Sequence, residues 1–411
     1  MKFSRKINPD SKPNSNFITK KKLREDEINF DKLRSYRLDR VKKELEKNNL
    51  EACILFDPVN VRYALDAVNM SIYNMHNLTR YCFVPVDGPV ILYEYFNCEK
   101  LSEHLSLIDE IRTAITWDYF SNGDQASAQL KKWINEVSDL SNSYFKSKKI
   151  AIDVLNGPAV SALNKIGIEV IDAKLILEQA RVIKSPEELK CMKAALEVAE
   201  IGVSKMRNEL KAGMTEDELW SILHKTNIEH GGEWIECRIL SSGQRTNPWM
   251  QESSNKIIQS GEIVSFDTDM VGPYGYCADI SRTYVEGNKF NDNQKKLYLM
   301  AVEQINHNSR LIKPGMFFKE FTEKSWVLPE EYYGNRYAVM VHGIGLCDEW
   351  PAIRYPTDGG ERSGIFEKNM TITVESYIGK VGGNEGVKLE QQYLVGQNSL
   401  ELMSHHPLED I

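Results

Sequence analysis

The chain has 411 residues, enough for two domains with substantial cores, and 42% hydrophobic with 27% charged residues is typical of a soluble globular protein. Its net charge of −8 argues against nucleic acid as the main partner, and no segment approaches the roughly 18–20 apolar residues of a membrane span. The seven cysteines are scattered and never form a CxxC pair, so the sequence predicts no zinc ribbon or disulfide framework and favours a reducing, cytoplasmic setting.

The predicted elements begin with a basic arm over residues 1–30, which no apolar run follows, so it is not a secretory signal. Residues 31–184 are then predicted to form one α/β domain, in which helices alternate with short strands. Helices are expected over residues 34–50 and Ala126–Leu140. Strands are expected at Ala52–Phe56, Tyr81–Pro85, Pro89–Tyr95 and Lys149–Val154.

A second domain is predicted over residues 185–411, and its first helix has a clear capping pattern. Ser185 and Glu188 form a capping box, and Pro186 stands at the first helical position. Apolar residues then recur at alternating steps of three and four, which predicts one buried helix face. After a glycine stop, a second capping box opens the next helix at Thr215.

The second domain contains an internal repeat. The segment Leu210-Lys-Ala-Gly-Met214 is echoed by Ile312-Lys-Pro-Gly-Met316, and each copy lies between a long helix and a shorter one. Each is followed by a predicted pair of strands: Glu262–Thr268 with Tyr276–Val285, and Met370–Ile378 with Val387–Val395. A duplicated unit predicts a pseudo-twofold domain with a site between its halves, whereas chance similarity of two helix ends is the alternative.

Acidic residues and one histidine occur on or near the strands of this repeat. They are Asp267, Asp269, Asp279, His342, Glu375 and Glu390. Asp267 and Asp269 are two residues apart on one predicted strand, so both side chains are expected on one face. Because a lone carboxylate is very costly to bury, these side chains are expected to share a divalent metal ion. The alternative is that each is a separate solvated residue at a strand edge.

These residues and their neighbours resemble the metal-ligand series of the methionine aminopeptidase, prolidase and creatinase superfamily. The similar segments are Val264-Ser-Phe-Asp267, Tyr276-Cys-Ala-Asp279-Ile-Ser-Arg-Thr283, His342-Gly-Ile-Gly345, Val374-Glu375 and Leu389-Glu390. The resemblance implies an α+β fold, with a creatinase-type N-terminal α/β domain followed by a pita-bread metal-binding catalytic domain. Phe56-Asp-Pro-Val-Asn-Val-Arg-Tyr63 is similar to that N-terminal domain.

Three departures separate the chain from the peptidases of that superfamily. The histidine that they carry about 17 residues before the first aspartate is replaced by Met250 beside Trp249, and the second histidine, after the ligand histidine, is absent from Leu346-Cys-Asp-Glu-Trp350. Two candidate first aspartates precede Asp279, and neither has the usual spacing. Since those histidines steer the peptide and handle protons, peptide hydrolysis is poorly supported, although the ligand set is complete.

A non-peptidase branch of the superfamily, the dimethylsulfoniopropionate lyases, resembles the chain in these departures. The shared features are Asp-Thr-Asp over residues 267–269 and His-Gly-x-Gly-x-Cys-Asp-Glu from His342. The resemblance implies β-elimination of dimethylsulfoniopropionate to dimethyl sulfide and acrylate, with iron as the expected metal, Asp348 as the general base and a homodimeric assembly. The same ligands accept manganese, zinc or nickel, and Asp348 has the alternative role of orienting His342.

The implied substrate is a small zwitterion whose sulfonium group favours aromatic faces. Tyr337, Trp249 and Trp350 are the candidates, with core packing as the alternative for each, and Tyr337 also matches a tyrosine of the lyase branch as a catalytic candidate. Burial beside Cys347 and Trp350 is expected to raise the pKa of Asp348. The competing hypotheses are a divergent metallopeptidase, similar to prolidase or aminopeptidase P, and a non-catalytic pita-bread binding module.

Overall fold

The computed structural model describes residues 4–6, 20–358 and 363–411, so most of the predicted basic arm lies outside the described residues. The chain divides into two compact units. Unit 1 comprises Asn29–Arg181 with the described residues that precede Lys21, and unit 2 comprises Lys21–Ile28 with Val182–Ile411. Among the described residues, no helix has the length and apolar character that a membrane crossing requires.

Unit 1 contains a seven-stranded mixed sheet. Its strands are β1 (Ser4–Lys6), β2 (Ala52–Leu55), β3 (Tyr81–Pro85), β4 (Ile91–Glu94), β5 (Glu110–Thr113), β6 (Lys149–Ile152) and β7 (Glu169–Asp172). Its helices are α1 (Phe30–Lys47), α2 (Pro58–Leu65), α3 (Ser71–His76), α4 (Tyr119–Asn122), α5 (Ala126–Tyr144), α6 (Gly157–Lys165) and α7 (Lys174–Arg181). The strand order is β1-β5-β4-β3-β2-β6-β7, and the pairs β2–β6, β4–β5 and β6–β7 are parallel. The α/β prediction for this region is confirmed.

The core of unit 1 forms where helix α5 turns its apolar face to the sheet. Trp133 of α5 is fully buried, with its ring centroid 4.5 Å from that of Trp117 and 6.1 Å from that of Phe56. Helix α2 is capped by the preceding residue, Asp57, whose side chain accepts a hydrogen bond from the backbone N–H of Val59. A side-chain cap therefore sets where α2 starts, and a buried aromatic cluster holds α5 against the sheet.

Unit 2 is built from five helices of the described chain and three sheets. The helices are α8 (Pro186–Glu209), α9 (Glu216–Glu229), α10 (Asp292–Leu311), α11 (Phe318–Lys324) and α12 (Glu330–Tyr333). The strands are β8 (Trp234–Ile235), β9 (Leu240–Ser242), β10 (Ile263–Phe266), β11 (Met270–Val271), β12 (Cys277–Ala278), β13 (Arg282–Val285), β14 (Val341–Ile344), β15 (Asp348–Ile353), β16 (Thr371–Gly379), β17 (Gly386–Val395) and β18 (Leu400–Leu402). The sheet orders are β13-β10-β9, β12-β11-β8 and β15-β14-β16-β17-β18.

The internal repeat of unit 2 is confirmed at the turns that follow its two long helices. Gly213, after α8, and Gly315, after α10, have φ angles of +93° and +86°, a region that favours glycine. The N–H of Gly213 donates to the carbonyl of Ile258 at 3.0 Å, and that of Gly315 donates to Phe366 at 2.8 Å. The same turn thus leads into the short helix of each half. The predicted capping boxes of α8 and α9 also form.

The two halves of unit 2 meet along β13 and β17. The Arg282 guanidinium donates to the backbone carbonyl of Glu390 at 2.7 Å, and the Thr283 hydroxyl donates to that of Lys388 at 2.7 Å. All three side chains are fully buried at this seam: Arg282, Thr283 and Lys388. The seam brings the segment that contains Asp279 beside the strand that contains Glu390.

Candidate metal centre and active site

Three of the predicted ligands lie on neighbouring strands of the five-stranded sheet. His342 is on β14, while Glu375 on β16 and Glu390 on β17 face each other directly across the antiparallel pair. The Nε2 atom of His342 lies 3.0 Å from Glu375 Oε1 and 3.5 Å from Glu390 Oε1. Side chains paired across antiparallel strands project to the same face, so the sheet itself converges these groups.

The aspartates of the first half join them from irregular backbone. The prediction that Asp267 and Asp269 share a strand is wrong, because β10 ends at Phe266 and Asp269 adopts a φ of +34°. Asp279 also lies outside a strand, between β12 and β13, and its Oδ2 is 3.5 Å from His342 Nε2. The irregular stretch allows both aspartates to reach the cluster in spite of their unusual spacing.

Each predicted ligand takes part in at least one group of three side chains whose ligand atoms lie within 4.8 Å of one another. The groups are Asp279, His342 and Glu390; Asp267, Glu375 and Glu390; and Asp269, Asp279 and Asp348. The structure therefore brings together all six residues and adds Asp348. The alternative of separate solvated edge carboxylates is wrong for these residues, since five of the six predicted ligands are buried and Asp269 is half-buried.

The imidazole of His342 has a defined orientation. Its Nδ1 lies 2.9 Å from the carbonyl oxygen of Gly343, which can only accept a hydrogen bond, so Nδ1 carries the proton. Nε2 faces the carboxylates; burial opposes the charged imidazole, but Asp348, Glu375 and Glu390 overcome it and raise the pKa of His342 well above its usual range. A metal ion held there would take the place of the Nε2 proton, as in metal-bound histidines whose other ring nitrogen donates to a carbonyl.

Two glycines of the His-Gly-Ile-Gly segment are required by close contacts. A Cβ atom at Gly343 would lie 2.4 Å from the carbonyl oxygen of Trp350, where the register between β14 and β15 shifts. A Cβ atom at Gly345 would lie 2.3 Å from the Glu349 carboxylate. The segment thus forms a tight hairpin in which His342 and Asp348 come close together.

A lysine that the sequence reasoning missed lies inside the cluster. Lys388 is fully buried, and its Nζ lies 2.6 Å from Glu375 Oε2, 3.0 Å from Asp267 Oδ2 and 3.2 Å from Glu390 Oε2. It also donates to the hydroxyl of Ser281 at 2.6 Å. A signal was present, because Lys388 stands two residues before Glu390 on a strand and therefore shares its face.

The cluster carries more negative than positive charge. Burial raises the pKa of Asp279 and Asp269 well above the usual range, and the neighbouring carboxylates add to this. Burial acts on Glu390 in the same direction, but Lys388 and His342 overcome it and lower the pKa of that carboxyl. One ammonium and one imidazole thus face five carboxylates, a balance that an added cation would correct.

The donor set fits a divalent metal ion. Glu390 Oε1 is buried and has no hydrogen-bond partner in the described chain, although it lies close to His342 Nε2. An orphaned carboxylate oxygen is costly unless a cation is coordinated. Carboxylate oxygens with one imidazole nitrogen are a ligand set for iron, manganese, zinc and related ions.

Asp348 lies at the open side of the cluster. Its side chain is 62% exposed, and its Oδ1 is 3.6 Å from His342 Nδ1, too far for a hydrogen bond. The expected burial beside Cys347 and Trp350 is therefore wrong. The pKa of Asp348 is nonetheless raised, by desolvation on the side that faces the cluster and by neighbouring carboxylates, while His342 opposes the rise.

The predicted aromatic residues separate into two places. Lys388 Nζ lies 4.9 Å from the ring centroid of Tyr337 and 5.6 Å from that of Trp249, so both rings adjoin the cluster. Trp350 instead packs against Phe318 in the hydrophobic core, with 5.1 Å between the ring centroids. The structure thus supports Tyr337 and Trp249 as neighbours of the cluster and gives Trp350 a packing role.

A second missed residue is Cys237, whose thiol donates a hydrogen bond to Asp269 Oδ2 at 2.9 Å. It packs with Tyr337 beside Trp249. Its position in the sequence, within the short segment before β9, gives no periodic signal that could have revealed this contact.

Comparisons with known proteins agree with this geometry. The chain matches metallopeptidase family M24 over residues 190–397. It is 36% identical to the dimethylsulfoniopropionate lyase DddP of Roseovarius nubinhibens over 92% of this chain and 87% of that protein. It is 35% identical to the protein of the same name from Roseobacter denitrificans, over 92% and 86% of the two chains. The Xaa-Pro dipeptidase of Bacillus anthracis has a similar fold, with a TM-score of 0.74 and 21% identity over 91% of this chain and 98% of that chain.

Proposed function

The chain belongs to metallopeptidase family M24 and, within it, to the family of the DddP lyases, and from this premise we propose that it cleaves dimethylsulfoniopropionate to dimethyl sulfide and acrylate. A base removes a proton from the carbon next to the carboxylate. The electron pair of that C–H bond forms the carbon–carbon double bond as the carbon–sulfur bond breaks. Dimethyl sulfide leaves with the bonding pair, so the positive charge on sulfur is neutralised and no water is consumed.

The proposed metal ligands are the six residues of the cluster: Asp267, Asp269, Asp279, His342, Glu375 and Glu390. The fit of the donor set and the orphaned oxygen of Glu390 support this assignment. A divalent ion held there, with iron as the expected metal, would supply Lewis acidity towards the substrate carboxylate and so stabilise charge that develops on it. Lys388 would fix the orientation of these carboxylates through its contacts with Asp267 Oδ2 and Glu375 Oε2.

Asp348 is proposed as the base, and the observation that carries this role is its exposed carboxylate beside a buried ligand cluster. The alternative role, orienting His342, loses support because Nδ1 already donates its proton to the Gly343 carbonyl and lies 3.6 Å from Asp348 Oδ1. A raised pKa makes a carboxylate a better proton acceptor near neutral pH. The absence of the peptidase histidines is consistent with a reaction that activates no water.

Tyr337 and Trp249 are proposed to contact the substrate. Their rings adjoin the Lys388 ammonium, which repels a sulfonium and attracts a carboxylate. We therefore assign the anionic end of the zwitterion to this side of the site, which replaces the expectation from the sequence that these two rings hold the sulfonium. The sulfonium would then lie towards the negatively charged side, near Asp348 and Asp269, where Coulomb attraction favours a cation.

The assembly and setting of the protein remain predictions from the resemblance and the composition. A homodimer is proposed on the resemblance alone. A cytoplasmic location is proposed on the scattered spacing of the seven cysteines, which favours a reducing compartment.

The test is headspace analysis for dimethyl sulfide after purified, iron-loaded protein is mixed with dimethylsulfoniopropionate. We expect gas from the parent protein and none above background from Asp348→Asn at equal metal content. A folded, metal-replete parent that releases no gas would remove the lyase proposal. Xaa-Pro dipeptides would then be assayed for the metallopeptidase alternative, and a sample that binds no metal at all would favour a binding module.

A further inference from the structure

A buried ion pair lies beneath the turn that carries Asp348. Lys184 Nζ is 2.7 Å from Glu349 Oε2, and both side chains are almost completely shielded from solvent. Glu349 follows Asp348 directly on β15, so the two carboxylates point to opposite faces of the strand. The Asp348 carboxylate faces the open side of the metal cluster, and the Glu349 carboxylate is buried on the other face of the strand, where it pairs with Lys184.

The carboxylate of Glu349 shapes the turn itself. Its Oε1 accepts a hydrogen bond from the backbone N–H of Leu346 at 3.2 Å. The N–H of Gly345 donates to the carbonyl of Cys347 at 3.0 Å, which closes the turn, and the missing Cβ of Gly345 leaves the space that the carboxylate occupies. A shift of Glu349 would therefore move the segment from Gly345 to Asp348.

Lys184 is fixed on the opposite side. Its backbone N–H donates to the carbonyl of Asn369 at 2.9 Å, just before β16, and it immediately precedes Ser185, the cap of α8. The ammonium thus ties the Asp348 turn to the same framework that carries Glu375. The distance between the base and the metal ligands depends on this connection.

We propose that the Lys184–Glu349 ion pair is a positioning device that fixes the Asp348 carboxylate relative to the metal cluster, an inference that rests on the proposed function. Replacing a buried ion pair by neutral side chains of similar shape often leaves stability unchanged or improves it. Stability alone therefore gives little reason for two charges here. Misplacement of a reacting group by about 1 Å, by contrast, costs on the order of 100-fold in rate.

The experiment compares the parent with Lys184→Met/Glu349→Gln, which removes both charges and keeps their approximate volume. We expect kcat to fall about 10- to 100-fold with a much smaller change in KM, since the side of the site assigned to the substrate carboxylate is left intact and the charge of Asp348 is retained. Metal content should equal that of the parent. With substrate deuterated next to the carboxylate, the isotope effect on kcat should increase, because proton removal becomes slower.

The matched control is Arg80→Met/Glu94→Gln, which removes a buried ion pair of unit 1. It should change thermal stability and leave kcat per folded molecule unchanged. If the main double variant fails to fold, Lys184→Arg provides a second test, because it keeps the ion pair and displaces the Glu349 carboxylate; the same fall in kcat is expected. A folded, metal-loaded variant with parental kcat and isotope effect overturns the inference. An inactive parent, or an active Asp348→Asn variant, contradicts the proposed function instead.

Discussion

Both units bury carboxylates, but they neutralise them in different ways. In unit 1, burial raises the pKa of Asp153 to about 6, yet its oxygens accept hydrogen bonds from the backbone N–H groups of Phe56 and Asp57 and from the Asn60 amide. In unit 2, the five carboxylates among the proposed ligands are grouped with one imidazole and one ammonium, that of Lys388, which contacts three of them. A buried acid is thus ordinary where local donors satisfy it. A group of acids that outnumbers its donors and cations indicates a cation site.

The largest effect is expected from removing the base. Asp348→Asn should lower turnover by about 10²–10⁴-fold, the usual contribution of general base catalysis, without changing metal content. Asp153→Asn in unit 1 is the matched control and should leave kcat per folded molecule unchanged. Gas release and elemental analysis of the same samples would measure both quantities. More than about a tenth of parental turnover in Asp348→Asn would exclude the base role.

Loss of a ligand should affect metal and activity together. His342→Ala removes the single imidazole of the cluster, so metal affinity should fall by at least the 10- to 100-fold that loss of an outer partner causes. Glu390→Ala should act in the same direction. Titration of the metal-free proteins, followed by elemental analysis, provides the measurement. Parental affinity in either variant would remove that residue from the proposed ligands.

The role of Lys388 can be separated from that of the metal. Lys388→Met leaves buried carboxylates without their ammonium, so the metal-free protein should lose about 3–5 kcal/mol of unfolding free energy. Saturating metal should recover much of this, because a divalent cation replaces the lost charge. Denaturant unfolding of the parent and the variant, with and without metal, would measure how far the metal offsets the loss of unfolding free energy. Equal losses in both states would contradict the charge-balance explanation.

Metal release should affect unit 2 more than unit 1. Metal at about 100 times its dissociation constant stabilises the folded state by about 2.7 kcal/mol. Chelation should therefore increase amide hydrogen exchange in β14, β16 and β17, with little change in β2 and β6. A uniform increase across both units would contradict the assignment of the metal to unit 2.

A smaller effect, on the pH dependence of folding stability, is expected at His406, which lies away from the cluster. Burial, with Arg282 and Arg207 nearby, lowers its pKa to about 4, while Tyr284 and Ser204 lie within hydrogen-bond distance of its ring nitrogens. Because this pKa is below that of the unfolded chain, its contribution is complete above about pH 6.5 and is lost as the pH falls towards 4. Unfolding followed over that range should show the loss, and His406→Gln should reduce it.

The sequence predicted the parts of the fold that depend on local patterns. The capping boxes at Ser185 and Thr215, the repeated glycine turns and the strand pair bearing Glu375 and Glu390 are all confirmed, because each depends on nearby residues or on a period of two. The proposed ligand series came from its resemblance to a known family and stays a prediction, although the structure brings its members together. The left-handed backbone at Asp269 was not predicted, since such conformations depend on tertiary contacts.

The burial and charge partners of the residues at the site were harder to predict than which residues lie there. Lys388 was missed because a lysine on a strand is usually solvated, and only the seam between the halves buries it. The exposure of Asp348 was misjudged because its neighbours Cys347 and Trp350 suggested burial, whereas alternation along β15 turns its side chain outwards. The burial of Lys388 and the exposure of Asp348 both depend on how segments that are distant in the sequence pack together. Local sequence patterns do not reveal such packing.

The seam between β13 and β17 has a consequence for how the protein acquires its metal during synthesis. The proposed ligands extend from Asp267 to Glu390, and neither half of unit 2 contributes the whole set. A nascent chain that has not yet produced Glu390 lacks a complete coordination sphere, whereas all of unit 1 has by then been translated. A metal ion held by these proposed ligands would therefore be captured late in biogenesis, and its presence would report that both halves have docked.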